Sequence, residues 1–266
     1  MSDFDITRVD LSDEEYYGSY AHWMTSTKLR SFKSCPYLFD LERRGLGPAK
    51  KHNPEFVIGS AVHANVLEGS SVFSKRFTID DGPINPTTKK PYGRQSKAWL
   101  EWSLKLNTEN VINNDEMSLV FDITQSVKGH DEVAKIMSSG EPEVAFRGKL
   151  WGVDVQAKID WFDEANGIVM DLKTCRTLRN FEHDFYSSYN LQSAFYNKVC
   201  SVYSDKPFRF YFVAVEKTFP FLTAVYRIEE STMDNSLANL ATTFGFYNKC
   251  REKNDWPKMT EAMRSL

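Results

Sequence analysis

The sequence predicts an α/β protein in which helices flank a β-sheet, on three observations. Val153, Val155 and Ala157 alternate with Asp154, Gln156 and Lys158 at a period of two, and the turn-forming stretch Asp163 to Gly167 leads into the apolar run Ile168-Val169-Met170. On either side of this hairpin lie long segments with apolar residues at helical spacing. With 266 residues, 41% of them hydrophobic and 14% aromatic, the chain can bury a sizeable core as one domain with peripheral helices.

Taken in order, residues 1 to 20 are acidic and tyrosine-rich without a period, which predicts a loosely held arm. A Ser/Thr cap at Ser26 precedes Leu29, Phe32, Tyr37, Leu38 and Leu41 at roughly helical spacing, and Pro36 divides two short helices. Arg43 and Arg44 there leave room for a phosphate contact. Val57, Ile58, Ala61, Val62, Val66 and Leu67 describe a buried helix that carries His63, with Gly59 and Ala61 small enough for close approach to a sheet. Phe73 to Lys97, punctuated by Gly82-Pro83, Pro86, Pro91 and Gly93, reads as a long irregular loop, with Lys89, Lys90, Arg94 and Lys97 as local positive charge. Ser96 to Leu106 and Asp115 to Ser138 are helical in pattern, and the sheet begins at Glu143.

Beyond the hairpin, Phe185 to Tyr203 reads as a helix with Tyr189, Gln192 and Tyr196 on one face and Leu191, Phe195, Val199 and Val202 as its apolar stripe. Strands at Arg209 to Val215 and Leu222 to Ile228 follow. Ser231 is the expected cap of a last helix through Leu237, Leu240, Phe244 and Tyr247, ending near Trp256-Pro257.

The formal charge of −3 excludes a globally basic nucleic-acid binder but leaves room for a local basic groove. Cys35, Cys175, Cys200 and Cys250 are too widely spaced for a zinc or iron–sulfur reading and are expected as reduced thiols. The acidic start Met-Ser-Asp-Phe-Asp and the lack of a long apolar run predict a cytoplasmic protein that does not engage a membrane.

The chemistry concentrates on the hairpin. Two antiparallel strands joined by a short turn can bring Asp160 and Asp171 together, and with the Leu172 carbonyl they offer hard oxygen ligands to Mg²⁺, or to Mn²⁺ in its place. Lys173 projects on the same face as Asp171, placed to orient or deprotonate a water or to stabilise the transition state as a fixed cation. Glu143, one strand upstream, is either a third acid for the metal or an exposed first residue of a strand. His63, by its pattern alone, is either a core histidine or a ligand.

In combination, the Gly-Ser-Ala-Val-His helix, Asp160, the Asp171-Leu172-Lys173 strand end, Gln192-x-x-x-Tyr196 and the Ser26 to Phe39 segment with its Cys-Pro-Tyr-Leu-Phe run resemble the PD-(D/E)XK nucleases of the RecB-like branch. The nearest resemblance is to the RecE-type phage and prophage exonucleases (the exonuclease VIII nuclease domain), relatives of lambda exonuclease. The resemblance spans roughly residues 26 to 230, with Asp171 where many members carry Glu. It implies a restriction-endonuclease-like core with a central mixed β-sheet flanked by helices, an arm over residues 1–25, and a single nuclease domain with helical elaborations over 26–266.

It also implies His63, Asp160 and Asp171 as metal ligands and Lys173 as the catalytic lysine. Gln192 and Tyr196 would contact the DNA backbone and support the site, with Arg176 and Arg179 as further DNA contacts. The implied activity is a Mg²⁺-dependent exonuclease acting on linear double-stranded DNA from the 5′ end, leaving 3′ overhangs for recombination. The implied partners are further copies in a ring and a single-strand annealing protein, in the cytosol of a bacterium or a phage-infected host. The absence of close-spaced cysteines after Cys35 excludes the iron–sulfur cluster of some relatives. Alternatives are a nuclease of other polarity or substrate, and a nuclease-fold DNA-binding subunit without turnover.

Overall fold

The computed structural model describes residues 3–18, 22–48, 54–106 and 110–258. Strand β1 (Phe4–Val9) and helix α1 (Asp13–Gly18) precede helices α2 (Ser26–Ser34), α3 (Pro36–Arg43), α4 (Pro54–His63) and α5 (Ser70–Arg76). Strand β2 (Thr78–Ile79), helix α6 (Lys97–Ser103), strand β3 (Val111–Ile112) and helices α7 (Asn114–Lys128) and α8 (Asp131–Ile136) lead to the long strands β4 (Glu141–Leu150), β5 (Val153–Asp163) and β6 (Ile168–Cys175). Helices α9 (Phe181–Asp184) and α10 (Asn190–Ser204), joined through π-helical Phe185–Tyr189, cross over to β7 (Arg209–Glu216) and β8 (Thr223–Arg227), and α11 (Glu230–Lys253) follows.

Among the described residues the main sheet is ordered β1-β4-β5-β6-β7-β8. All neighbours are antiparallel except β6 and β7, which pair in parallel from Ile168–Arg209 to Cys175–Glu216. A parallel pair needs a crossover, and α9 and α10 supply it. The expected central mixed sheet with flanking helices is what forms. One face packs Leu29, Phe32, Phe195, Val199 and Phe244 of α2, α10 and α11 against Val155, Ala157 and Phe212; the other packs Val62, Val120 and Ile123 against Met170, Leu172 and Val213.

Local chemistry explains the elements nearest the site. Thr25 caps α2 by accepting from the Lys28 N–H at 3.3 Å, and α3 starts with Pro36 behind Cys35, whose sulfur accepts from the Leu38 N–H. Asn113 and Glu116 form a reciprocal capping box at α7. Gly59 faces β6, where an added Cβ would meet Thr174 Oγ1 at an ordinary 3.6 Å, so α4 lies close to the strand end.

Several expectations are corrected. Residues 4–9 are not a loose arm: β1 pairs with β4 over its whole length, from Phe4–Leu150 to Val9–Ala145. The strand is hard to read because it is a sheet edge on which only Ile6 is buried. Gly148 permits the pairing, since a Cβ there would lie 1.8 Å from the Asp5 carbonyl oxygen. The last helix starts after Glu229 without a side-chain cap, so Ser231 is not its cap. Asp163, at the start of the turn-forming stretch, is not a solvated turn residue: it is 2% exposed and accepts hydrogen bonds from Ser139 and from both the backbone and side chain of Asn166. Residues 259–266 of the expected domain lie outside the described residues. Among the described residues no helix is long and apolar enough to cross a membrane.

Candidate active site

The site forms where β5 and β6 part. Their pairing runs only from Asp163–Ile168 to Trp161–Met170. Further along, Met24 takes the free edge of β5 instead, its N–H donating to the Asp154 carbonyl and its carbonyl accepting from the Gln156 N–H, both at 2.9 Å. The gap between these two pairings opens onto a cleft of about 1010 Å³ lined by His63, Glu143, Lys158, Asp160 and Tyr196 among others. The side-chain alternation of β5 slips here as well: Ile159 and Phe162 face one core while Trp161 faces the other. Opposite the slip, Glu143 sits between the pairs Pro142–Trp161 and Val144–Ile159 with φ 54°, a left-handed conformation that is strained for a residue with a side chain.

At this opening, ligand atoms of His63, Glu143 and Asp160 lie within 4.8 Å of one another. Asp160 Oδ2 takes the place of a ladder bond by accepting from the Leu172 N–H at 2.8 Å, and the same oxygen is 3.4 Å from His63 Nδ1. His63 also makes a backbone hydrogen bond with Leu172. Asp171, 1% exposed, stands behind this trio: Oδ1 accepts from Gln192 Nε2 at 3.1 Å, and Oδ2 is ion-paired with Lys173. The Lys173 ammonium also lies over the Tyr189 ring, 5.3 Å from its centroid.

Support comes from α10. Tyr196 is hydrogen-bonded to Gln192 and accepts from Ser26 Oγ at 3.4 Å, so contacts run from the start of α2 through Tyr196, Gln192 and Asp171 to Lys173. The spacing of Gln192 and Tyr196 puts both side chains on the helix face turned to the strand end.

The electrostatics are those of a site short of positive charge. Burial pushes the Asp171 carboxyl up to about 6 despite the neighbouring Lys173. Burial also raises Asp160, and burial with the adjacent Asp160 raises Glu143. His63 is pushed down by burial and by Lys173, which favours its neutral, ligating form. Burial pulls Lys173 down, but Asp171 and Asp160 outweigh it and hold the group above the ordinary lysine value. Three crowded acids and a neutral imidazole fit a hard divalent cation, whose charge would reverse the carboxyl shifts.

Of the residues singled out in the sequence, His63, Glu143, Asp160, Asp171, Leu172, Lys173, Gln192 and Tyr196 converge here. Glu143 groups with His63 and Asp160, and Asp171 is held behind them by Lys173 and Gln192. Arg176 and Arg179 are exposed beyond the end of β6. Sequence reasoning missed Asp13, Tyr17, Arg76 and Lys217, which line the cleft from distant segments, and Lys158, whose only signal is its place two residues before Asp160.

A mixed sheet with acids and a lysine where two strands part defines a PD-(D/E)XK nuclease-like domain. The comparisons agree. The family model described as a PDDEXK-like domain of unknown function (DUF3799) matches residues 25–266, and the chain belongs to that family. Among solved structures the fold is similar to that of a protein titled "Putative exonuclease" from Eubacterium rectale, with a TM-score of 0.69 at 14% identity over 97% of this chain and 95% of that one. No curated protein matches the sequence.

Proposed function

We propose that the protein is a divalent-metal-dependent exodeoxyribonuclease that degrades linear duplex DNA from its ends. The observation that carries this is the His63–Glu143–Asp160 group set against the buried Asp171–Lys173 pair at one strand opening. When bound, Mg²⁺ or Mn²⁺ would polarise the scissile phosphate and make water more acidic.

The chain's own residues do the rest. His63, Glu143 and Asp160 would hold the ion, with the Leu172 carbonyl beside them, and Asp171 would complete the shell by turning one oxygen from Lys173. Lys173, held as an ammonium, would stabilise charge on the phosphate or position the attacking water. Gln192 and Tyr196 would keep Asp171 oriented and meet the DNA backbone, and the exposed Arg176 and Arg179 would contact phosphates.

The finer reading rests on the resemblance to RecE-type exonucleases: 5′ to 3′ polarity, 3′ overhangs for recombination by strand annealing, a ring of identical chains, an annealing partner and a cytoplasmic setting. The test is incubation with end-labelled linear duplex, covalently closed circles and single strands, with Mg²⁺ or with EDTA. Mg²⁺-dependent shortening of linear duplex from the 5′ ends is expected. Cutting of closed circles would overturn the exonuclease reading, and turnover in EDTA would overturn the metal.

A further inference from the structure

Lys158 lies on β5 two residues before Asp160 and sets its ammonium between two carboxylates. Its Nζ is 2.7 Å from Glu143 Oε2 and 2.7 Å from Asp13 Oδ1. The side chain is 16% exposed, and the rings of Tyr16 and Tyr17 flank it at 5.6 and 5.4 Å. Glu143 therefore belongs to the group with His63 and Asp160 and is at the same time ion-paired with Lys158. Asp13, on α1, is held from its other side by Arg76 at 3.5 Å, and Arg76 is itself paired with Glu68.

In two-ion phosphodiesterase sites a shared carboxylate bridges cations about 3.5–4 Å apart. Glu143 is the carboxylate shared between the His63–Asp160 group and Lys158, and one of its oxygens is already on an ammonium. We infer that Lys158 stands as a fixed cation where a second divalent ion would sit, so that the site takes one divalent ion per chain and Asp13 of α1 holds the substitute in place. The inference rests on the metal-dependent reading above and gives the N-terminal segment a role in it.

Charge balance points the same way. The carboxylates Asp13, Glu68, Glu143, Asp160 and Asp171 face the cations of Lys158, Lys173 and Arg76, and one divalent ion makes the set neutral. A second ion would leave an excess positive charge in a half-buried site, beside the Lys158 ammonium.

The test is Mn²⁺ binding to the full chain, read by calorimetry for stoichiometry and by electron paramagnetic resonance for spin coupling. The wild-type protein is expected to bind one uncoupled Mn²⁺. Lys158→Ala, checked for folding by circular dichroism, is expected to bind two coupled ions, because Glu143 and Asp13 then flank an ion-sized gap. Two coupled ions in the wild type overturn the inference without any variant, and leave the metal-nuclease reading standing. A folded Lys158→Ala chain that still binds one ion overturns it as well. No Mn²⁺ bound to the wild type removes the metal reading and the inference together.

Discussion

Asp171 and Lys173 form a buried ion pair whose proposed tasks differ, and substitution separates them. Removing the lysine frees the Asp171 oxygen for a cation, so Lys173→Ala should keep metal and DNA affinity within a few-fold while turnover falls by about 10²–10³, the scale of losing one transition-state charge contact. Calorimetry with Mn²⁺, a DNA-binding titration and single-turnover cleavage read the three quantities; a collapse of metal affinity would show that Lys173 organises the ligands instead. Asp171 also makes a pH prediction for the metal-free protein. Its carboxyl is raised by burial from 3.8 to about 6, so the folded state holds the proton more tightly than the unfolded chain. That contribution is fully present below about pH 4 and is lost as pH rises through about 6. At about 1.4 kcal/mol per pKa unit it amounts to roughly 3 kcal/mol. Urea unfolding in EDTA should therefore show wild type losing stability relative to Asp171→Asn between pH 4 and 6, and a flat difference would refute the burial argument.

At the scale of elements, the site depends on two strands that stop pairing and on what fills the space they leave. β6 turns from β5 after Trp161–Met170, and Met24 takes over the edge beyond, which fixes the start of α2 and brings Ser26 to Tyr196. Tyr196→Phe removes a hydroxyl that joins α2 to Gln192, with an expected cost of about 1 kcal/mol in chemical denaturation. Cleavage should fall by more than that energy implies, since Gln192 loses the partner that steadies it against Asp171. β1 is tested through its partner strand. Gly148→Ala places a methyl 1.8 Å from the Asp5 carbonyl oxygen, so β1 must move away, at a cost of about 1–3 kcal/mol. Backbone amide exchange in Phe4–Val9 should quicken, and unchanged protection would mean that the edge strand adapts without separating.

At the scale of the whole molecule, divalent metal should act as a ligand of the folded state. A site that brings His63, Glu143 and Asp160 together from α4, β4 and β5 exists only after folding, so Mg²⁺ at 100 times its Kd is expected to add about 2.7 kcal/mol. Because burial raises the Glu143, Asp160 and Asp171 carboxyls, protons compete with the ion as pH falls. The Mg²⁺-induced rise in Tm should thus shrink between pH 7 and pH 5, measured by thermal unfolding with and without EDTA; a rise independent of pH would place the ion away from these acids.

What the sequence determined by itself was whatever local periodicity writes down. The alternation from Val153 and the Asp163 to Gly167 turn define the hairpin, and the apolar spacing around His63 and Gln192 defines two helices, whereas Asp171-Leu172-Lys173, expected at a strand end, lies within β6, which stays paired with β7 to Cys175. These placed Asp160, Asp171 and Lys173 on one hairpin and Gln192 and Tyr196 on one helical face. Only the tertiary structure decided that Glu143 groups with His63 and Asp160, that Asp171 is drawn back onto Lys173, and that Asp13 and Arg76 close the cleft around Lys158. The reason is separation along the chain. Asp13 and Lys158 are joined by no periodic signal, and β1 has a single buried residue to announce it. The opening between β5 and β6 arises from strands that cease to pair, which a pattern of alternating side chains does not encode.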